Sequence, residues 1–190
     1  NPMRLLFILS LACFSTLSSA GEIKYAKAEH EGKVYRLNLT MEVDAGQEDL
    51  VALLTDHENF HQLSAVMIES GLVPGAPEDT TRRRLVVKTC IVFFCFRVIM
   101  VEDVEQFPEG RLVAVMVPEQ SDFISGRAEW HVKPLGPDRS EIVYGFNLQP
   151  DFWVPPGIGP FILKRKMIKE AKTSILTMES LAKDGYMGSE

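Results

Sequence analysis

The sequence has little of what usually announces a chemistry. Its 190 residues include 3 cysteines, 4 histidines and 2 tryptophans. No serine sits in a nucleophile elbow, no glycine-rich loop is spaced to cradle a phosphate, and no paired carboxylates stand out. Positive charge is in the minority: 20 Lys and Arg against 26 Asp and Glu leave a formal net charge of −6. A protein devoted to nucleic acid needs a clustered positive field, so nucleic acid is not expected as a partner. Past the N-terminal stretch, no apolar run reaches the roughly eighteen residues that a membrane-spanning helix needs. Internal repeats and low-complexity segments are also missing, and the length suits one domain with a real core.

What is present begins with a leader. Met3-Arg4 is a short basic region, residues 5–14 are apolar, and Ser18-Ser19-Ala20 is a run of small residues. Residues 1–20 therefore read as a secretory signal peptide cut after Ala20, followed by a flexible polar tail over 21–32. Asn1 and Pro2 precede Met3, the expected initiator. Cys13 invites lipidation, but Leu11 lies one position too late for a lipobox, so simple export is preferred. The expected location is periplasmic or otherwise exported, an oxidising compartment in which Cys90 and Cys95 remain.

From Val34 to Val43, Tyr35, Leu37, Leu39, Met41 and Val43 alternate with polar residues, which predicts a half-buried strand. Two short helices follow, one opening at Asp44 or Gly46 and one reaching Asn59-Phe60-His61. Strand character returns over 64–73, 82–90, 95–105, 111–117, 125–133 and 141–148, separated by short turns. Strands joined by short turns pair antiparallel, so the fold class is α+β. The prolines of 150–160 then fix the start of a long helix. In it Phe161, Ile168, Ala171, Ile175, Met178 and Ala182 form one apolar stripe, with Lys164 the charged exception. Such a helix needs a sheet to lie on, and it closes an antiparallel sheet around an apolar cavity.

Four features carry competing readings. His57-Glu58-Asn59-Phe60-His61 matches the H-E-x-x-H zinc pattern, but the helix ends too soon and Ser64 stands where the extended motif wants glycine. A solvated short helix with Phe60 inward is preferred, and no metal is assigned. Cys90 and Cys95 bracket a hairpin tip, where they either form a disulfide or sit as two small buried side chains. The tip itself, Ile91-Val92-Phe93-Phe94, is core, cavity gate or membrane contact. Lys164-Arg165-Lys166 and Lys169 make a basic run that is either a solvated face or a site for anionic head groups. Asp122, Glu129, His131 and Asp151 are dispersed polar residues without a shared role.

Asp122-Phe123-Ile124-Ser125-Gly126, Trp130, Tyr144-Gly145-Phe146, the segment Pro150-Asp151-Phe152-Trp153-Val154-Pro155-Pro156 and the terminal helix occur in an order that resembles the START-like (SRPBCC) superfamily. Within it the chain looks most like the polyketide cyclase/dehydrase and coenzyme Q-binding START-domain branch. The resemblance covers residues 33–184 and leaves 185–190 as a C-terminal tail. It implies a helix-grip fold, a curved antiparallel sheet wrapped around the long C-terminal helix, with two short helices after the first strand. It also implies a hydrophobic tunnel that holds lipids, isoprenoid quinones, sterols or polyketides, often without catalysis.

Expected cavity-lining residues are Tyr35, Leu37, Leu39, Met41, Met116, Trp130, Tyr144, Phe146, Phe161, Ile168 and Ile175. The methionines suit an adaptable site. The expectation is non-enzymatic binding or transport of a hydrophobic small molecule by a monomer without a cofactor, with transient contact to a membrane surface. The alternatives are a cyclase-like enzyme using the same cavity, a zinc hydrolase through His57 and His61, and a partner-binding envelope protein with a filled core.

Overall fold

The computed structural model describes residues 21–91, 93–154 and 160–185. The signal peptide read over 1–20, Val92 of the hairpin tip, the segment 155–159 and most of the C-terminal tail lie outside the described residues.

The chain runs β1 (Glu22–Glu31), β2 (Val34–Val43), α1 (Gln47–Thr55), β3 (Met67–Leu72), β4 (Thr80–Ile91), β5 (Phe94–Phe107), β6 (Arg111–Met116), β7 (Phe123–Gly136), β8 (Arg139–Pro150) and α2 (Pro160–Lys183). A single 3-10 turn, Phe60–Leu63, lies between α1 and β3. The strands form one 8-stranded antiparallel sheet in the order β1-β2-β8-β7-β6-β5-β4-β3. All neighbours are hairpins except β2 and β8. The chain leaves β2, crosses by way of α1 and the 3-10 turn, and re-enters the sheet at its far edge as β3. The expected helix-grip architecture is therefore present, with α2 laid on the concave side.

Residues 21–32, expected to be a flexible tail, are instead an edge strand. Glu22–Glu31 pairs with β2 in a register that sets Ala26 opposite Leu39 and Ala28 opposite Leu37. Its side chains hid this, because half of them are charged and two of the three that pack on the core, Ala26 and Ala28, are small. Backbone pairing needs no apolar side chain, and charges along an edge discourage pairing with other molecules. Gly32 makes the two-residue turn into β2, with a positive φ of 59° that an L side chain adopts poorly.

The core lies under α2 and α1. Leu37, Val43, Leu50, Val132 and Ile142 are fully buried there. Ala171 at the middle of α2, with Ile175 and Met178 in its C-terminal half, covers this core. A buried carboxylate fixes that half: Glu179 Oε1 accepts the N–H groups of Gly21 at 2.7 Å and Asp44 at 2.9 Å. The N-terminal half of α2 has no comparable anchor among the described residues and lies across the cavity.

Candidate functional site

Strand alternation builds the site. On β4, Arg83, Leu85, Val87 and Thr89 point inward, and on β5 so do Phe96, Val98, Met100 and Glu102. With Tyr35, Leu39 and Met41 of β2, Trp130 of β7, and Ile142, Tyr144, Phe146 and Leu148 of β8, they enclose a cavity of about 360 Å³. Helix α2 roofs it with Leu163, Met167, Ala171, Ser174 and Met178, and Phe60 and Leu63 close one end. The size and apolar character are those of small-molecule sites. Gly126 belongs to the wall because a Cβ there would stand 2.7 Å from Leu148 Cδ2 and 2.9 Å from Met116 Cε.

Seven of the expected lining residues, Tyr35, Leu39, Met41, Met116, Trp130, Tyr144 and Phe146, face the cavity. Four do not. Leu37 and Ile175 are buried in the core beneath the helix, Ile168 is half-buried off the wall, and Phe161 is 77 % exposed. The helix is turned relative to the expected face. Its most apolar flank packs toward β1 and β2, a side that only the unforeseen first strand creates. The flank over the cavity includes Lys166, Glu170 and Ser174.

The closed end holds two groups that the sequence reading missed. Arg83 and Glu102 face each other across β4 and β5, with Nε to Oε1 at 2.7 Å and Nη2 to Oε1 at 2.6 Å. Both are almost fully buried, at 1 % and 3 % exposure, which makes this an ion pair inside an apolar chamber. The guanidinium lies 3.8 Å from the ring centre of Phe60 and 5.6 Å from that of Trp130. Its Nη1 has no hydrogen-bond partner among the described residues. The signal was in the sequence. Arg83 shares strand parity with Leu85 and Val87, which places a charge on the apolar face.

Aromatic rings continue the wall: Trp130 stacks on Tyr144 at 5.0 Å, and Tyr144 meets Phe146 at 6.0 Å. Burial raises the Tyr144 hydroxyl above the usual phenol range, helped by the negative charge of Glu102. His57 sits just outside this end. Burial, then the positive charge of Arg83, lowers its imidazole to about 4, so it is neutral near pH 7.

The zinc pattern is not arranged as a helix. His57 lies in the turn after α1, whereas His61 lies in the 3-10 turn with Nδ1 2.8 Å from Ser70 Oγ. Among the described residues no group of three or more His, Cys, Asp or Glu could hold a metal ion. Glu129 accepts a hydrogen bond from Arg111 at 2.7 Å, and Asp122 accepts the Ile99 N–H at 2.6 Å. Both are structural contacts.

The opposite end lies about 20 Å along β4, at Thr89, six residues from Arg83 at the usual strand rise. Here the lining is only half-buried, including Phe96, Phe152, Val154 and Lys166. Cys90 and Cys95 form a disulfide across the hairpin. The Lys166 ammonium donates to the Cys90 carbonyl at 3.5 Å, joining α2 to the hairpin tip. Phe94 packs edge-on against Trp153 at 5.9 Å.

No protein-family profile and no curated protein matches the sequence. Solved structures do match in fold. The Zhui aromatase/cyclase from Streptomyces sp. R1128 superposes with a TM-score of 0.61 at 11 % identity, over 81 % of this chain and 96 % of that one. A START superfamily protein from Mycobacterium smegmatis gives 0.60 at 19 % identity, covering 78 % and 97 %. A STAR-related lipid transfer protein fragment from Xanthomonas axonopodis gives 0.57 at 14 % identity, covering 83 % and 98 %. At these identities the likeness is one of fold. The chain carries the START-like helix-grip fold on which both lipid-transfer proteins and cyclases are built.

Proposed function

We propose that this chain binds and carries a hydrophobic small molecule with one hydrogen-bond-accepting end, such as a lipid or isoprenoid, without transforming it. The observation that carries the reading is the 360 Å³ apolar cavity with a buried guanidinium at its closed end. A guest leaving water gains roughly 25 cal/mol for each Å² of apolar surface buried. Its polar end would accept from Arg83 Nη1, which is otherwise left unpartnered among the described residues. Glu102 holds the guanidinium in place and limits its net charge, so a neutral carbonyl or hydroxyl suits the site as well as an anion does. The less anchored N-terminal half of α2 is the natural lid. We place the protein outside the cytoplasm, on the strength of the leader in residues 1–20.

A cyclase-like enzyme in the same cavity is the competing reading, favoured by the fold likeness to an aromatase/cyclase. The site suits proton transfer poorly. Tyr144 holds its proton more firmly than a free phenol, and the Arg83 guanidinium offers hydrogen-bond donors and no acceptor.

The test is native mass spectrometry of gently purified protein, with organic extraction of whatever it carries and a fluorescent fatty-acid uptake assay. A stoichiometric apolar guest returned chemically unchanged supports carriage. A guest released in altered form would establish the enzyme. No guest and no uptake would remove both and leave a filled or vestigial chamber.

A further inference from the structure

The cavity mouth carries a combination found nowhere else among the described residues. Of the large apolar side chains exposed to solvent, three exceed 60 % exposure: Phe93 at 92 %, Phe161 at 77 % and Trp153 at 66 %. Phe93 and Trp153 stand at the mouth through the disulfide-closed hairpin and the Phe94–Trp153 contact, and Phe161 lies on the first turn of α2, two residues before the cavity-lining Leu163. Phe94, 44 % exposed, adjoins them through Trp153, and every other exposed large apolar residue among those described stays below 60 %.

Charge is segregated in the same place. Residues 160–172 contain 5 basic residues, Lys164, Arg165, Lys166, Lys169 and Lys172, and 1 acid, Glu170, in a chain of net charge −6. None of the five basic residues forms an ion pair among the described residues, in contrast to the arginines elsewhere on the sheet. Projecting aromatic rings beside unpaired cations match a bilayer interface, where rings enter the head-group layer and cations meet anionic lipids.

We infer that this rim docks on an anionic lipid bilayer, with Phe93, Trp153 and Phe161 inserted and Arg165 and Lys169 on the head groups. The inference rests on the proposed function and deepens it, because a mouth held at the membrane lets an apolar guest pass without crossing water. An acidic protein surface would satisfy the cations but would leave three separate rings projecting, so the bilayer is the better fit.

The experiment is vesicle sedimentation of the purified chain, with Trp153 emission as a second readout. Vesicles of phosphatidylglycerol and phosphatidylcholine are compared with phosphatidylcholine alone. Binding to the anionic vesicles with a blue shift of Trp153 is expected, and much weaker binding to the neutral ones. Arg165→Ala with Lys169→Ala should weaken anionic binding on the order of thirtyfold, and Phe93→Ala with Phe161→Ala on the order of tenfold. Neither pair lines the cavity, so fatty-acid uptake from vesicle-free solution should persist in both and shows that they fold. That uptake assay tests the cavity separately, which keeps a failed carrier distinct from a failed docking surface. Wild-type protein that stays in the supernatant overturns the inference, as does binding unmoved by either pair. Tighter capture by soluble polyglutamate, with vesicles unable to compete, would also overturn it in favour of an acidic protein partner.

Discussion

Arg83 decides the chemistry of the closed end, and it does so through its partner. Replacing it with methionine leaves Glu102 buried and uncompensated, which should cost about 3–5 kcal/mol in urea denaturation. The double variant Arg83→Met with Glu102→Leu removes both charges and should regain most of that stability. It should bind an alkane as well as a fatty acid of equal length, whereas the wild type prefers the fatty acid. A double variant that keeps the preference would show that Arg83 does not read the polar end.

His57 gives the same end a pH dependence. Its imidazole is lowered to about 4 in the folded state, against about 6.5 for a free side chain. The unfolded chain therefore binds more protons between these two values, and stability falls as pH drops through that window. The stabilising contribution is fully present above about 6.5 and gone below about 4. Denaturation at pH 5 and pH 7 should show a larger loss in the wild type than in His57→Gln. Equal losses would mean that other groups carry the acid sensitivity.

At the scale of the element, α2 is two helices in one. Its C-terminal half is buried through Ile175 and Met178 and clamped by Glu179, whereas its N-terminal half gives Leu163, Met167 and Ala171 to the cavity roof without such a clamp. The clamp has a consequence for the start of the folded region. A Cβ at Gly21 would stand 2.5 Å from Glu179 Oε1 and 2.4 Å from the Glu42 carbonyl, so only glycine fits the position. A chain engineered to begin at Gly21 places an ammonium against this buried carboxylate, where a longer chain offers a neutral amide. It should be more stable by about 1–2 kcal/mol than one beginning at Ser19, and the difference should shrink as pH rises above about 8, through the raised folded-state value of the ammonium. Equal stability of the two chains would mean that the extra charge is solvated.

For the whole molecule, the proposed guest and lid would form one equilibrium. An apolar guest binds only the folded state, so saturation at a hundred times its dissociation constant should add about 2.7 kcal/mol of stability. Hydrogen exchange should show that gain mainly in the N-terminal half of α2, because the other half is already fixed. Protection spread evenly along the helix would argue against a lid.

The legibility of the molecule divides along the same physical line. Strands β2 and β4 through β8 could be read because one face of each is apolar and the other wet, and a two-residue period needs no tertiary partner to be seen. Strand β1 could not, since Ala26 and Ala28 contribute little apolar area and its pairing is made by backbone groups that every residue has. Of the expected stripe, Ala171 and Met178 do look onto the cavity, but Phe161, Ile168 and Ile175 do not. Without β1 the cavity is the one surface on offer to this stripe, whereas in the fold Ile175 packs into the core beneath the helix and Phe161 stays exposed. The pairing of Cys90 with Cys95 was open between bridge and burial, and the facing register settled it.

The sequence by itself determined the class of fold, the antiparallel order of its hairpins, the long closing helix and most of the apolar wall, because these follow from local periodicity and turn chemistry. Only the tertiary structure decided that the interior is hollow, that Arg83 and Glu102 meet inside it, and which flank of α2 looks down on it. Those are relations between surfaces far apart in the chain, and the volume left between them depends on how the elements pack against one another.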